Sequence, residues 1–172
     1  MEYVDKVLRH PEYIRIQKKI TSLEKDRIYC HHEIEHALDV ARMAWIYCLE
    51  DWCKKGIVPK HMEEKKELLY VCALLHDIGR ASQYEAGIHH SLAGKEIAGK
   101  ILADIDYPQD KRDVVLRIIA GHHTGSEKPE GECSPLESYI CRADHDSRLC
   151  FWCAGADTCK WKEEERNRTL DC

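Results

Sequence analysis

Apolar residues recur at helical spacing along most of the chain, and strand-like alternation does not persist anywhere. Residues 11–26 predict a first helix, with Pro11 suited to its opening turn. A long second helix is predicted from His32 to Trp52, with Ile34, Leu38, Ala41, Trp45, Leu49 and Trp52 on its core face. Gly56 and Pro59 then break the chain. A third helix is expected over Met62–Leu75. Its second half, Leu68–Leu75, is apolar on every side, which places it at the centre of a bundle. It runs into His76-Asp77-Ile78-Gly79, where Gly79 reads as a stop. A fourth helix, Ser91 to Ile105, has Leu92, Ile97, Ile101 and Ile105 as anchors, with Gly94 and Ala98 small enough for close packing. Pro108 opens a fifth that ends near Gly121. Ser134-Pro135-Leu136-Glu137 is a capping-box sequence that starts a sixth, which carries Leu136, Ile140, Ala143 and Asp144 down one side. Lys160 to Arg168 is nearly all charged and reads as a solvated end. The pattern as a whole predicts an all-α helical bundle in a single domain, without internal repeats.

A length of 172 residues suits one domain with a normal core. The net charge of −5 argues against nucleic acid as a partner, because a phosphate-backbone binder carries a basic surplus. A small phosphorylated substrate stays open, since a metal ion can supply the local positive charge. Met1 to His10 mixes charged and apolar residues, so no leader is expected. The longest apolar run is the eight residues Leu68–Leu75, too short for a membrane span. The expected compartment is the cytoplasm, and the oligomeric state is open. The ten cysteines are then read as reduced, with Cys48, Cys72 and Cys141 serving as small buried hydrophobes.

Four sets of polar residues fall on apolar faces. His32 and His36 are four apart on one predicted helix and share a face, either at the surface or toward a metal. His76-Asp77 follows the all-round apolar helix directly. It is either a helix end with a turn-forming aspartate or a titratable pair that a cation compensates. His122 shares the core side of Val115, Ile118 and Ile119, as a satisfied core histidine or a ligand, and His123 follows it. Asp144 shares a side with Ile140 and Leu136, paired either with Arg142 or Arg148 or with a metal. Imidazole and carboxylate ligands suit iron, manganese, zinc or nickel. Facing helices of a bundle can deliver such ligands to one point.

These residues resemble the HD superfamily of metal-dependent phosphohydrolases: His36 in EHALDVARMA, His76-Asp77 in ALLHDIG and Asp144 in ICRADHDSR. The resemblance runs from about residue 28 to 148 and implies an HD domain over 1–149, followed by a cysteine-rich extension over 150–172. His90, in HHSLAG, and His122, in IIAGHHTG, are similar to the extra histidines of the two-metal branch. That branch includes the symmetrical dinucleoside-tetraphosphate hydrolases, which have an arginine where Arg148 stands. The double histidine His122-His123 also resembles the cyclic-dinucleotide phosphodiesterases, but their Gly-Tyr-Pro element is absent. The resemblance implies one or two divalent ions. One is held by His36, His76, Asp77 and Asp144, and a second by Asp77 with His90, His122 and His123. It also implies hydrolysis of a phosphoester or phosphoanhydride of a nucleotide or dinucleotide by a metal-activated water, with Asp77, His76 and Arg148 as catalytic residues. His32 is a candidate supporting or outer ligand, and Arg80, Lys95 and Arg148 are candidate phosphate contacts. A di-iron oxygenase of the HD type and a non-catalytic nucleotide- or metal-binding regulatory domain are the alternatives.

Cys150-x2-Cys153-x5-Cys159 has metal-like spacing for zinc or iron, but three thiolates are one short of a closed site. Cys141, His145 or a distant cysteine is needed to complete it. The other reading is a reduced cysteine-rich helix packed on the core with Phe151, Trp152 and Trp161. The segment is similar to the C-terminal part of small HD proteins of anaerobic bacteria.

Overall fold

A computed structural model describes residues 1–121 and 134–170. The described residues form eight α-helices and no strand: α1 (Glu2–Arg9), α2 (Pro11–Leu23), α3 (Ile34–Lys54), α4 (Met62–Leu75), α5 (Arg80–Ala86), α6 (His90–Asp104), α7 (Gln109–Gly121) and α8 (Pro135–Asp146). Three short 3-10 turns follow, Cys150–Trp152, Ala156–Thr158 and Glu163–Glu165. Among the described residues no helix is long and apolar enough to cross a membrane. The fold is all-α.

Local chemistry explains most of the boundaries. Pro11 sits in the first turn of α2, where His10 accepts from the Glu12 amide. Ser134 accepts from the Glu137 amide and caps α8. α4 lies at the centre, packed against α1, α3, α7 and α8, with Leu68, Leu69 and every residue from Val71 to Leu75 buried. That follows from a helix segment with no polar side to turn to water.

Several elements differ from the sequence expectation. α1 is additional; Val4 and Val7 bury its short apolar stripe. α5 is also additional, a seven-residue helix between the His-Asp turn and α6. α3 begins at Ile34, not His32, because the Glu24 side chain takes the His32 amide and holds that stretch out of helix. The core face of α3 is also rotated from the predicted one. Ala37, Val40, Ala41, Ala44, Tyr47 and Cys48 are buried, and Leu38, Trp45 and Trp52 pack at the margin. Small residues at the centre let α3 lie close to α4 and α8, and the large ones seal the flanks. On α6, Leu92 is 67% exposed and anchors nothing, whereas Ala93, Gly94, Ala98, Ile101 and Leu102 are buried. Cys48 and Cys72 are buried as expected, but Cys141 is only half-buried.

Gly79 is not a left-handed stop; its φ is −81°. A Cβ built there would lie 2.0 Å from the His90 carbonyl oxygen and 2.5 Å from the Gly94 amide nitrogen. The glycine is required because the turn after α4 meets the backbone of α6 directly.

Candidate metal centre

His76 and Asp77 leave the apolar end of α4 and are buried, His76 completely. The His76 Nδ1–H donates to the Ala73 carbonyl at 2.6 Å. A carbonyl only accepts, so Nδ1 carries a proton and Nε2 is the nitrogen turned to the interior, the one that would ligate a metal on giving up its own proton. There it meets side chains from two other helices. His76 Nε2 is 3.2 Å from Asp77 Oδ2 and 3.8 Å from Asp144 Oδ1, on α8. His36 Nε2, from the first turn of α3, is 3.3 Å from Asp144 Oδ1 and 3.9 Å from Asp77 Oδ2. One ligand atom from each of His36, His76, Asp77 and Asp144 lies within 4.8 Å of the others.

The imidazoles and carboxylates of this cluster sustain one another's charge despite burial. Burial opposes charge on His76, yet Asp77 and Asp144 beside it raise its pKa to about 9. Burial likewise opposes charge on Asp144, but the His36 hydrogen bond and the His76 charge hold its carboxyl well below the usual range. Two carboxylates brought this close inside a protein call for positive charge between them. Two imidazoles and two carboxylates, one ring fixed in its ligating tautomer by a backbone carbonyl, fit a divalent transition metal.

Asp77 is the hub. Its Oδ1 accepts from Arg80 Nε at 2.7 Å and lies 3.7 Å from His90 Nε2. His32 Nε2 approaches Asp77 Oδ2 at 3.8 Å. The His32 backbone and Nδ1 are both bound by Glu24, which also accepts from the Tyr84 hydroxyl. His32 and His36 thus reach the same site, but not by sharing a helix face as the sequence suggested. His90 is buried at the start of α6, near Asp77. His122 and His123 lie outside the described residues.

Asp144 pairs with Arg148, whose Nη2 is 3.6 Å from Oδ2. Arg142 turns instead to Asp146 and the Tyr47 ring. Arg148 stacks on Trp161, and its buried Nη1 has no hydrogen-bond partner among the described residues. A cavity of about 510 Å³ opens beside the cluster, with Arg27, Arg80, Arg148 and Lys160 in its walls together with His32 and His90. Lys95 is exposed and lines a different groove with Asp113 and Arg117.

Sequence reasoning missed Glu24 and Tyr84, which orient His32, and Arg27 in the cavity wall. A signal for Glu24 was present. Tyr13, Ile16, Ile20 and Glu24 continue one helical stripe, so a carboxylate stood on a core face.

Comparison with known proteins agrees with the geometry. The family model described as HD domain matches residues 34–149 and contains all four clustered residues. An uncharacterized protein of Clostridium beijerinckii is 35% identical across 97% of this chain and 97% of its own length. Ribonuclease Y of Listeria monocytogenes is 30% identical over 78% of this chain and 25% of its own length. Ribonuclease Y of Enterococcus faecalis is 25% identical over 87% of this chain and 28% of its own length. The chain therefore spans about a quarter of those ribonucleases. No solved structure matches.

Proposed function

The chain belongs to the HD domain family, and from that premise we propose that it hydrolyses a phosphoester or phosphoanhydride bond of a nucleotide or dinucleotide. The observation that carries this reading is the convergence of His36, His76, Asp77 and Asp144 beside a cavity walled by four cationic side chains. One divalent ion would be held by those four residues. A second would share Asp77 with His90 and with His122 and His123. Bound there, such an ion supplies Lewis acidity and a more acidic water at neutral pH.

The protein's own groups do the rest. Ala73 holds the His76 ring in register. Arg80 fixes Asp77 from the side away from His36 and His76, so the carboxylate is anchored before a ligand arrives. Arg148, stacked on Trp161 and with a spare donor, faces the cavity and would bind a phosphate oxygen through that fork. Arg27 and Lys160 would accept a second phosphate further out. Several cations lining one pocket suit a polyphosphate better than a monoester. A cavity of about 510 Å³ is the size of a small-molecule site, which favours a nucleotide over a polymer.

A second reading, cleavage of an RNA phosphodiester, is supported by the similarity to the two ribonuclease Y proteins. Anaerobically purified protein, loaded with manganese, iron or nickel, should be assayed against nucleotides, dinucleoside polyphosphates and short oligoribonucleotides. Turnover of the small substrates is the expected result, and turnover of the oligoribonucleotides alone selects the second reading. Asp77→Ala should remove both the metal of this site and hydrolysis. Retention of both by the purified variant overturns the assignment.

A further inference from the structure

The segment after α8 has almost no apolar interior of its own. From residue 150 to 170 only Gly155 and Ala156 are buried, while Phe151 is 45% and Trp152 84% exposed. Its regular structure amounts to three 3-10 turns. Burial of an alanine and a glycine cannot offset the entropy of ordering some twenty residues. Small units in this position are held by a cross-link or a metal.

Four cysteines stand where such a fastening would act. Cys150, Cys153 and Cys159 line a small void together with Cys30, from the connection between α2 and α3. All four are free thiols, and the void measures about 10 Å³, roughly the space of one water-sized sphere. Cys30 is the distant cysteine that the three-cysteine motif lacks. His145 does not complete it, because its Nδ1 faces Asp146 and its Nε2 donates to the Glu165 carbonyl. Cys141 is not among the residues around the void.

The surrounding backbone is built to bring Cys30 and the extension together. A Cβ on Gly155 would sit 3.0 Å from the Tyr29 ring and 3.1 Å from the Ile28 carbonyl, so the glycine permits the approach. Cys153 Sγ donates to that same carbonyl. Arg27 Nε binds the Cys30 carbonyl, and Arg166 Nη2 binds the Cys159 carbonyl. Cys150 and Cys153 flank a tight turn in which the Cys153 amide donates to the Cys150 carbonyl. That turn keeps the two cysteines of the C-x2-C pair on the rim of the same void.

We propose that Cys30, Cys150, Cys153 and Cys159 bind a zinc ion that fastens the extension to the α2–α3 connection. The site is separate from the His/Asp centre and serves structure. Four thiolates select a soft or borderline cation, and zinc takes them tetrahedrally in closed structural sites. The void accommodates a single ion after the sulfurs draw inward, and is small for an iron–sulfur cluster. The ion also shapes the substrate cavity, because Thr158, Cys159, Lys160 and Trp161 form one of its walls and Tyr29 and Cys30 part of another.

The test is metal analysis of full-length protein purified under reducing, anaerobic conditions, as the parent and in an Asp77→Ala background. About one equivalent of zinc should persist with Asp77 replaced, and Cys30→Ser or Cys159→Ser should each remove it. Cys53→Ser, at an exposed cysteine, should leave it in place. Cobalt exchanged into the otherwise unaltered chain should give the intense thiolate-to-cobalt charge-transfer band of a sulfur-rich tetrahedral site. That reading needs no variant to fold. Unchanged zinc in both cysteine variants, no such band, iron–sulfur absorbance, or disulfides in place of four titratable thiols would each overturn the proposal.

Discussion

Glu24 is a carboxylate that is 1% exposed and ends the apolar stripe of α2. Burial opposes its charge, but hydrogen bonds from His32 and Tyr84 outweigh that and hold its pKa near 2. A depressed carboxyl pKa stabilises the fold above the group's ordinary value of about 4.5, and the benefit fades as the pH falls toward 2. Glu24→Gln should therefore lower stability at neutral pH by on the order of 3 kcal/mol. It should also flatten the loss of stability between about pH 4.5 and pH 2. Urea unfolding of parent and variant across that range measures both, and parallel curves would show that the Glu24 charge contributes nothing. The same substitution releases His32 from its orientation toward Asp77.

At the scale of elements, the junction of α4, α5 and α6 is the least tolerant part of the fold. Gly79→Ala puts a methyl group against the backbone of His90 and Gly94, and backbone cannot rotate aside as a side chain can. It should cost about 3 kcal/mol or more and should also displace His90 from Asp77. Chemical unfolding reads the first effect, and metal stoichiometry the second. A variant as stable as the parent would mean that α5 and α6 can separate freely. The central helix α4, the cap of α8 and the His76-Asp77 turn were legible in the sequence, because a segment apolar on every side and a Ser-Pro-x-Glu start each have one physical solution. The true face of α3 was not legible. Periodicity weights large side chains, and here alanines occupy the contact while tryptophans guard its edge. Of the site, His36, His76, Asp77 and Asp144 could be picked out as polar groups on apolar faces. His32 was read onto the wrong element because its position depends on Glu24, a tertiary partner eight residues away.

Taken as a whole molecule, the cavity is a joint product of distant segments. Arg27 and Cys30 come from the α2–α3 connection, Arg80 and His90 from α5 and α6, and Lys160 and Trp161 from beyond α8. Lys160 is exposed and lines the cavity, and under the proposed function it would add to the charge that meets the substrate's phosphates. Lys160→Glu should raise KM several-fold for a polyphosphate substrate while kcat changes little, the signature of binding lost equally in ground and transition states. Steady-state kinetics at two ionic strengths decide the point, since a kcat effect alone would place Lys160 elsewhere in the reaction.

The stacking of Arg148 on Trp161 joins these scales. The guanidinium beside Asp144 is steadied by an indole from a segment that follows all four clustered His and Asp residues in the chain. A chain stopped at Leu149 carries all four clustered residues and Arg148, but lacks the indole on which the guanidinium stacks. Under the proposed function, removing the Trp161 segment would cost the steadied arginine while sparing the four clustered side chains.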